Sequence, residues 1–207
     1  MRKHVSLGTC FRAFVHLLGG AGLATHFCDR YYSVQNGSRS IVLIGFMGSG
    51  KSSVGRLLAR QLGWPRWDTD EMVARELGRS IPEIFAEWGE ARFRETESAV
   101  LRKLDPQENA IIVTGGGIVL RPENITRLRE LGTVVWLRAD LETLRERLSR
   151  RKNRPLLQTP DPASTIAKLL GERERFYEAA ADFAVDTNGR DHLAVAEAVQ
   201  DGIRIGR

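Results

Sequence analysis

Beyond residue 40 this 207-residue chain has no cysteine and one histidine, His192. Both cysteines, Cys10 and Cys28, and the other three histidines, His4, His16 and His26, come earlier. The main body therefore carries no disulfide framework, no thiolate nucleophile and no Cys/His metal centre. Long apolar runs are also missing. The stretch from Val5 to Ala24 is broken by Arg12 and His16 and falls short of the roughly 20 apolar residues that span a bilayer, so no membrane partner is expected. Acid is scarce in the first forty residues, where Asp29 stands alone against Arg2, Lys3, Arg12, Arg30 and Arg39. That segment holds +4 of the net charge of +5, and the rest balances 26 basic against 25 acidic groups. A domain that grips a phosphate backbone concentrates basic groups on its folded face. Here they precede it, and no nucleic-acid partner is expected.

The 42% hydrophobic and 28% charged content is that of an ordinary globular protein, with length for one α/β domain and its core. Residues 1–40, rich in Gly, Ser, His and aromatics, are expected to form a disordered extension ahead of a domain at 41–207. Two alternatives stay open. The basic start Arg2-Lys3-His4 with the small residues Gly22 and Ala24 has features of a signal peptide, and Val34 would serve as a late translation start. Intact mass of the natively expressed protein separates a full-length chain from a late start. The spacing of Cys10, His16, His26 and Cys28 matches no usual zinc pattern.

From residue 41 strand and helix patterns alternate. Ile41–Ile44 is a short apolar run suited to a strand buried on both faces. Residues 51–62 place Val54, Leu57, Leu58 and Leu62 on one side of a helix. Helical patterns follow at 70–77, 81–88 and 90–104, with Ser80 as a cap and Pro82 in the first turn. Strands are predicted at 110–114, 133–137 and 183–185, and helices at 123–131, from Asp140 to about 151, at 163–180 and at 191–203. The Pro-, Asn- and Arg-rich stretch 152–162 is expected to be a mobile loop. Such alternation implies a three-layer α/β fold, a parallel sheet with helices on both faces.

The segment Gly45–Ser52, GFMGSGKS, satisfies G-x-x-x-x-G-K-[ST] between a buried-type strand and a helix, which is the context that a phosphate-binding loop requires. Backbone N–H groups of such a loop, here including Gly48, Ser49 and Gly50, turn toward a β-phosphate at the positive end of the helix. Lys51 is expected to bridge β- and γ-phosphates, and Ser52 to place its hydroxyl on Mg²⁺. ATP or GTP is thus the expected ligand. No guanine-reading N-K-x-D occurs, and the strand 110–114 ends in Gly115-Gly116-Gly117 rather than in the acid of a mechanical ATPase. Three glycines leave room for a small acceptor.

Asp68 and Asp70, two residues apart at the end of an expected strand, would project to one side. One carboxylate would reach Mg²⁺ through water and the other an attacking hydroxyl; helix capping by Asp68 or Thr69 is the alternative. Arg94 and Arg173 sit in charged helical stretches, where ordinary i,i+4 ion pairing competes with a role in binding an anion. The basic run 150–154 offers Arg154 as a lid arginine over a transferring phosphoryl group.

Taken together, GFMGSGKSSVGRLLA, DTD at 68–70, GRSIPEIFAEWGEARFRETE, TGGG at 114–117, RPLL at 154–157, ERERFY and VDTN at 185–188 closely resemble the shikimate kinase family, from about Ile41 to Ile203. The resemblance implies a P-loop NTPase fold of the nucleoside-monophosphate-kinase-like type, with a five-stranded parallel sheet and a mobile lid. It implies transfer of the ATP γ-phosphate to the 3-hydroxyl of shikimate, with Mg²⁺, in the cytoplasm and by a monomer. By family position, Asp70 contacts the attacking hydroxyl. Arg94, Arg173 and the backbone of Gly115, Gly116 and Gly117 hold shikimate, while Glu97 braces Arg94 and Phe85 and Phe93 line the pocket. Gly48, Ser49, Gly50, Lys51, Ser52, Ser53, Arg147 and Arg154 serve the nucleotide, with Lys51, Asp70 and Arg154 in catalysis and Ser52 and Asp68 at the metal. Ser53 stands where Thr is more usual, with the same hydroxyl.

Overall fold

The computed structural model describes residues 40–105, 107–149 and 160–205. Strand β1 (Ser40–Ile44) is buried at every position. It leads through residues 45–50 into helix α1 (Lys51–Leu62). Strand β2 (Arg66–Asp68) runs directly into α2 (Thr69–Leu77), followed by α3 (Ile81–Arg102). Strand β3 (Ile111–Val113), a short 3-10 turn (Ile118–Leu120), α4 (Pro122–Leu131) and β4 (Gly132–Arg138) come next. Helices α5 (Leu141–Ser149) and α6 (Pro162–Ala180), strand β5 (Phe183–Asp186) and α7 (His192–Ile205) complete the described chain.

The five strands form one sheet in the order β2-β3-β1-β4-β5. Every pairing is parallel, with Val42 opposite Ile112 and Val134 in the adjoining strands. Parallel strands need crossovers, and here helices supply them, so the strands are covered and read as apolar runs. Alternation then sorts the side chains. Val42, Ile44, Ile112, Val134 and Trp136 join a core with Leu101, Leu128, Leu144, Leu148, Ile166 and Tyr177 from α3 to α6. On the opposite face α1 comes so close at Gly55 that a Cβ there would run into Val113 while touching Leu43 and Ile111. The expected three-layer fold is therefore the observed one.

One boundary falls where the sequence puts it and another differs. The patterns at 81–88 and 90–104 are two helical stretches of the element Ile81–Arg102, separated where the helical backbone breaks at Gly89 (φ 73°, ψ 175°). No atom crowds that position, so it is the left-handed φ that calls for glycine. Ser80 starts the element, and its N–H and hydroxyl both donate to Glu83 Oε2 at 2.8 and 2.7 Å. Asp70, which the sequence places both at a strand end and at the start of the helix 70–77, lies in the first turn of α2.

Candidate active site

The phosphate loop crosses from β1 to α1 at the carboxyl end of the sheet, the edge where ligands of open α/β folds bind. Gly50 closes it, and its carbonyl accepts from the N–H groups of Ser53 and Val54 at 3.0 Å each. A cavity of about 410 Å³ opens over the loop. Gly48, Ser49, Gly50, Lys51, Ser52, Ser53 and Arg147 line it together with Asp68 and Asp70, as do Thr187, Arg190 and His192. The expected nucleotide residues among those described thus share one space. The Lys51 ammonium donates to the carbonyls of Gly45 and Phe46, both at 2.8 Å, which holds it within the loop. Arg147 donates to Thr187 O at 2.7 Å, Thr187 Oγ1 at 3.1 Å and Gly48 O at 3.4 Å, tying the loop to the turn after β5.

Asp68 does two things that the sequence posed as alternatives. Its Oδ1 caps α2 by accepting from the Asp70 N–H at 3.2 Å, and it also lines the cavity. Its Oδ2 pairs with Arg66 at 3.0 Å, and Arg66 reaches Glu71 at 2.7 Å. Burial and the nearby Glu71 push the Asp68 carboxyl up, and Arg66 opposes them. Strand alternation is therefore not what brings the two carboxylates together. The cap geometry does so, because it turns Asp70 into the first helical turn beside its capping partner.

The acceptor side is built on β3 and its glycines. Thr114 donates to Leu43 O through both N–H and hydroxyl, at 3.2 and 3.0 Å, and the Gly115 N–H donates to Thr69 Oγ1 at 2.9 Å. Any Cβ on Gly115 would meet Glu97 Oε1 and lie 2.6 Å from Asp70 Oδ1, and one on Gly117 would collide with the Arg94 guanidinium. These glycines are required by close approach: side chains there would displace the carboxylates and the arginine.

Arg94 is nearly buried, at 9% exposure, yet makes the helical ion pairs expected of a solvated face. It reaches Glu90 at 3.0 Å and Glu97 Oε2 at 2.7 Å. Glu97 is fully buried, and its Oε1 accepts no hydrogen bond among the described residues. Burial raises its pKa to about 7, against the pull of Arg94; Asp70 raises it further and Arg173 lowers it. Glu97 thus feels Arg94, Asp70 and Arg173 at once, so the three expected acceptor residues converge on it. Because its folded pKa lies above the ordinary 4.5, ionising Glu97 costs the fold free energy. That cost sets in as pH rises from about 4.5 and is complete above about 7, on the order of 3 kcal/mol. Thermal unfolding from pH 5 to 8 is expected to show this loss, and Glu97→Gln to flatten the profile. An unchanged slope in the variant would assign the loss to other groups.

Arg173, on α6, is 4% exposed, and no described carboxylate lies within 4 Å of its guanidinium. It rests 6.0 Å from the Phe46 ring and beside the Tyr177 hydroxyl. A buried cation without a counter-ion is costly unless an anion arrives. Phe85 and Phe93, expected in the pocket, pack on one another at 5.0 Å, within a small core of α2 and α3. Arg154 and residues 152–159 of the lid expected at 152–162 lie outside the described residues, as does the segment 1–39, while Asp161 caps α6 and Pro162 already opens it. Thr187, Arg190 and His192 were not singled out as site residues, although VDTN was a visible pattern. Nothing in their spacing shows that the turn after β5 folds back over the phosphate loop.

A sequence profile described as shikimate kinase matches residues 47–204. The chain belongs to the shikimate kinase family. Within that family, the shikimate kinase of Moorella thermoacetica is 48% identical over 165 residues, covering 80% of this chain and 94% of its own. That of Thermodesulfovibrio yellowstonii is 45% identical over 161 residues, 78% of this chain and 92% of its own. Among solved structures, shikimate kinase from Acinetobacter baumannii in complex with shikimate superposes with a TM-score of 0.81 at 34% identity, over 86% of this chain and 98% of that one.

Proposed function

We propose that this chain transfers the γ-phosphoryl group of ATP to the 3-hydroxyl of shikimate, giving shikimate 3-phosphate and ADP on the route to chorismate and the aromatic amino acids. The observation that carries the acceptor's chemistry is Arg173, a buried guanidinium lacking a carboxylate partner among the described residues, on the side of the site where Arg94, Glu97 and Asp70 meet. The ligand that completes it is a small carboxylate, and the bidentate fork of arginine suits that group. Asp70 accepts the hydrogen bond of the attacking hydroxyl and aims it at the γ-phosphorus. Phosphoryl transfer passes through a loose transition state, so alignment and charge stabilisation contribute most of the rate. Lys51 leaves its loop carbonyls to meet phosphate oxygens, and Arg154 follows the family pattern as the lid cation.

Ser52 and Asp68 fit Mg²⁺. Among the described residues no cluster of three or more metal-binding side chains exists, and Mg²⁺ is typically held by one or two protein oxygens with phosphates and waters. When bound, it neutralises charge on the β- and γ-phosphate oxygens. No described helix is long and apolar enough to cross a membrane, and a cytoplasmic monomer is the proposed working form. Residues 41–207, with Ser40 opening the first strand, are proposed as the kinase domain, and the residues before it as an extension outside catalysis.

A coupled assay for ADP release with a panel of acceptors tests the reading. Shikimate is expected to be preferred over gluconate and nucleoside monophosphates, and its methyl ester to lose about 100-fold in kcat/KM. A preference for an uncharged or phosphorylated acceptor would overturn it.

A further inference from the structure

Tyr177 takes no part in the chemistry above, yet it occupies a singular place. It lies on α6 four residues after Arg173, so the two side chains share a helix face. Its side chain is fully buried, with the ring stacked on Trp136 at 6.0 Å between centroids and 26° between planes. The hydroxyl donates to the carbonyl of Gly116, and the Arg173 guanidinium interacts with the same hydroxyl. Burial pushes the phenol well above its usual range, so it remains a donor at any working pH. Gly116 in turn lies against the phosphate loop, where a Cβ on it would be 3.3 Å from Met47 N and 3.5 Å from Gly45 O.

One phenol therefore spans two parts of the site that different elements supply. The acceptor arginine comes from α6, and the glycine segment comes from the end of β3. Trp136, on β4, fixes the ring from behind. A guanidinium on a long flexible stem gains affinity when its orientation is set before the ligand arrives. We propose that Tyr177 is a positioning residue, holding Arg173 and the Gly116 carbonyl in register so that the acceptor's carboxylate meets a preformed clamp. The proposal rests on the assignment of Arg173 to that carboxylate.

The test deletes one oxygen. Tyr177→Phe keeps the ring on Trp136 and removes both hydroxyl contacts. The KM for shikimate is expected to rise about tenfold, with kcat and the KM for ATP each changing less than about twofold. Trp136→Phe, which disturbs the same ring from the other side, is expected to lower Tm without that selective split. In an Arg173→Ala background, Tyr177→Phe is expected to change kcat/KM for shikimate by less than about twofold, since the group it positions is gone. An unchanged shikimate KM in Tyr177→Phe, a parallel change in all three constants, or a full tenfold effect in the Arg173→Ala background would each overturn the proposal. If Arg173→Ala alone leaves the shikimate KM unchanged, the clamp assignment itself fails. If Arg173→Ala raises it and Tyr177→Phe does not, only the role of Tyr177 falls.

Discussion

Replacing Asp70 with Asn is expected to lower kcat by about 10²- to 10³-fold while leaving the KM for ATP within about threefold. Asn is nearly isosteric, so the first turn of α2 and the Asp68 cap stay in place. What changes is the hydrogen-bonding character of the atom facing the acceptor. A carboxylate oxygen accepts from the hydroxyl and leaves its lone pair directed at phosphorus, whereas an amide can present N–H groups that turn the hydroxyl away. The effect stays at the lower end of what a lost base costs, because loose phosphoryl transfer develops little nucleophile charge. Steady-state kinetics with both substrates varied checks it. A variant with near-normal kcat and a raised shikimate KM would reduce Asp70 to a binding residue.

Arg173→Ala is expected to raise the KM for shikimate by about 100-fold, with kcat within about fivefold, since truncating one member of a buried charge pair costs several kcal/mol. The two acceptor arginines then separate physically. The charge of Arg94 is already offset by Glu90 at 3.0 Å and Glu97 at 2.7 Å, while Arg173 has no carboxylate within 4 Å among the described residues. Arg94→Ala therefore gives a smaller rise in KM and a clear fall in Tm, because it strips Glu97 of its cation inside the protein. The shikimate KM and Tm of both variants decide the matter. An Arg173→Ala enzyme with normal shikimate affinity would contradict the clamp.

The strand and helix order was legible because apolar runs and amphipathic stretches alternate cleanly along the chain. The phosphate loop was legible because its backbone demands fix a local pattern. Other parts were not readable from spacing. Arg94 looked like a member of a solvated helix, and its i,i+3 and i,i+4 partners are real. Only the packing of Gly117 against its guanidinium, through contacts far apart in sequence, shows that this charged face is buried. Asp68 and Asp70 do share one side, but not through strand alternation, since the helix begins at Thr69. Glu97 and Tyr177 stand in segments that carry the family resemblance, and Glu97 was expected to brace Arg94, but no spacing shows what burial does to a carboxyl and a hydroxyl.

The most direct measurement is the position of the phosphate on the product. The full chain is incubated with ATP, Mg²⁺ and shikimate, and the phosphorylated sugar acid is examined by ³¹P–¹H correlation. Shikimate-dependent ADP release is expected, with phosphorus coupled to the proton on C3. ADP release indifferent to shikimate, or phosphate on a different oxygen, would contradict it.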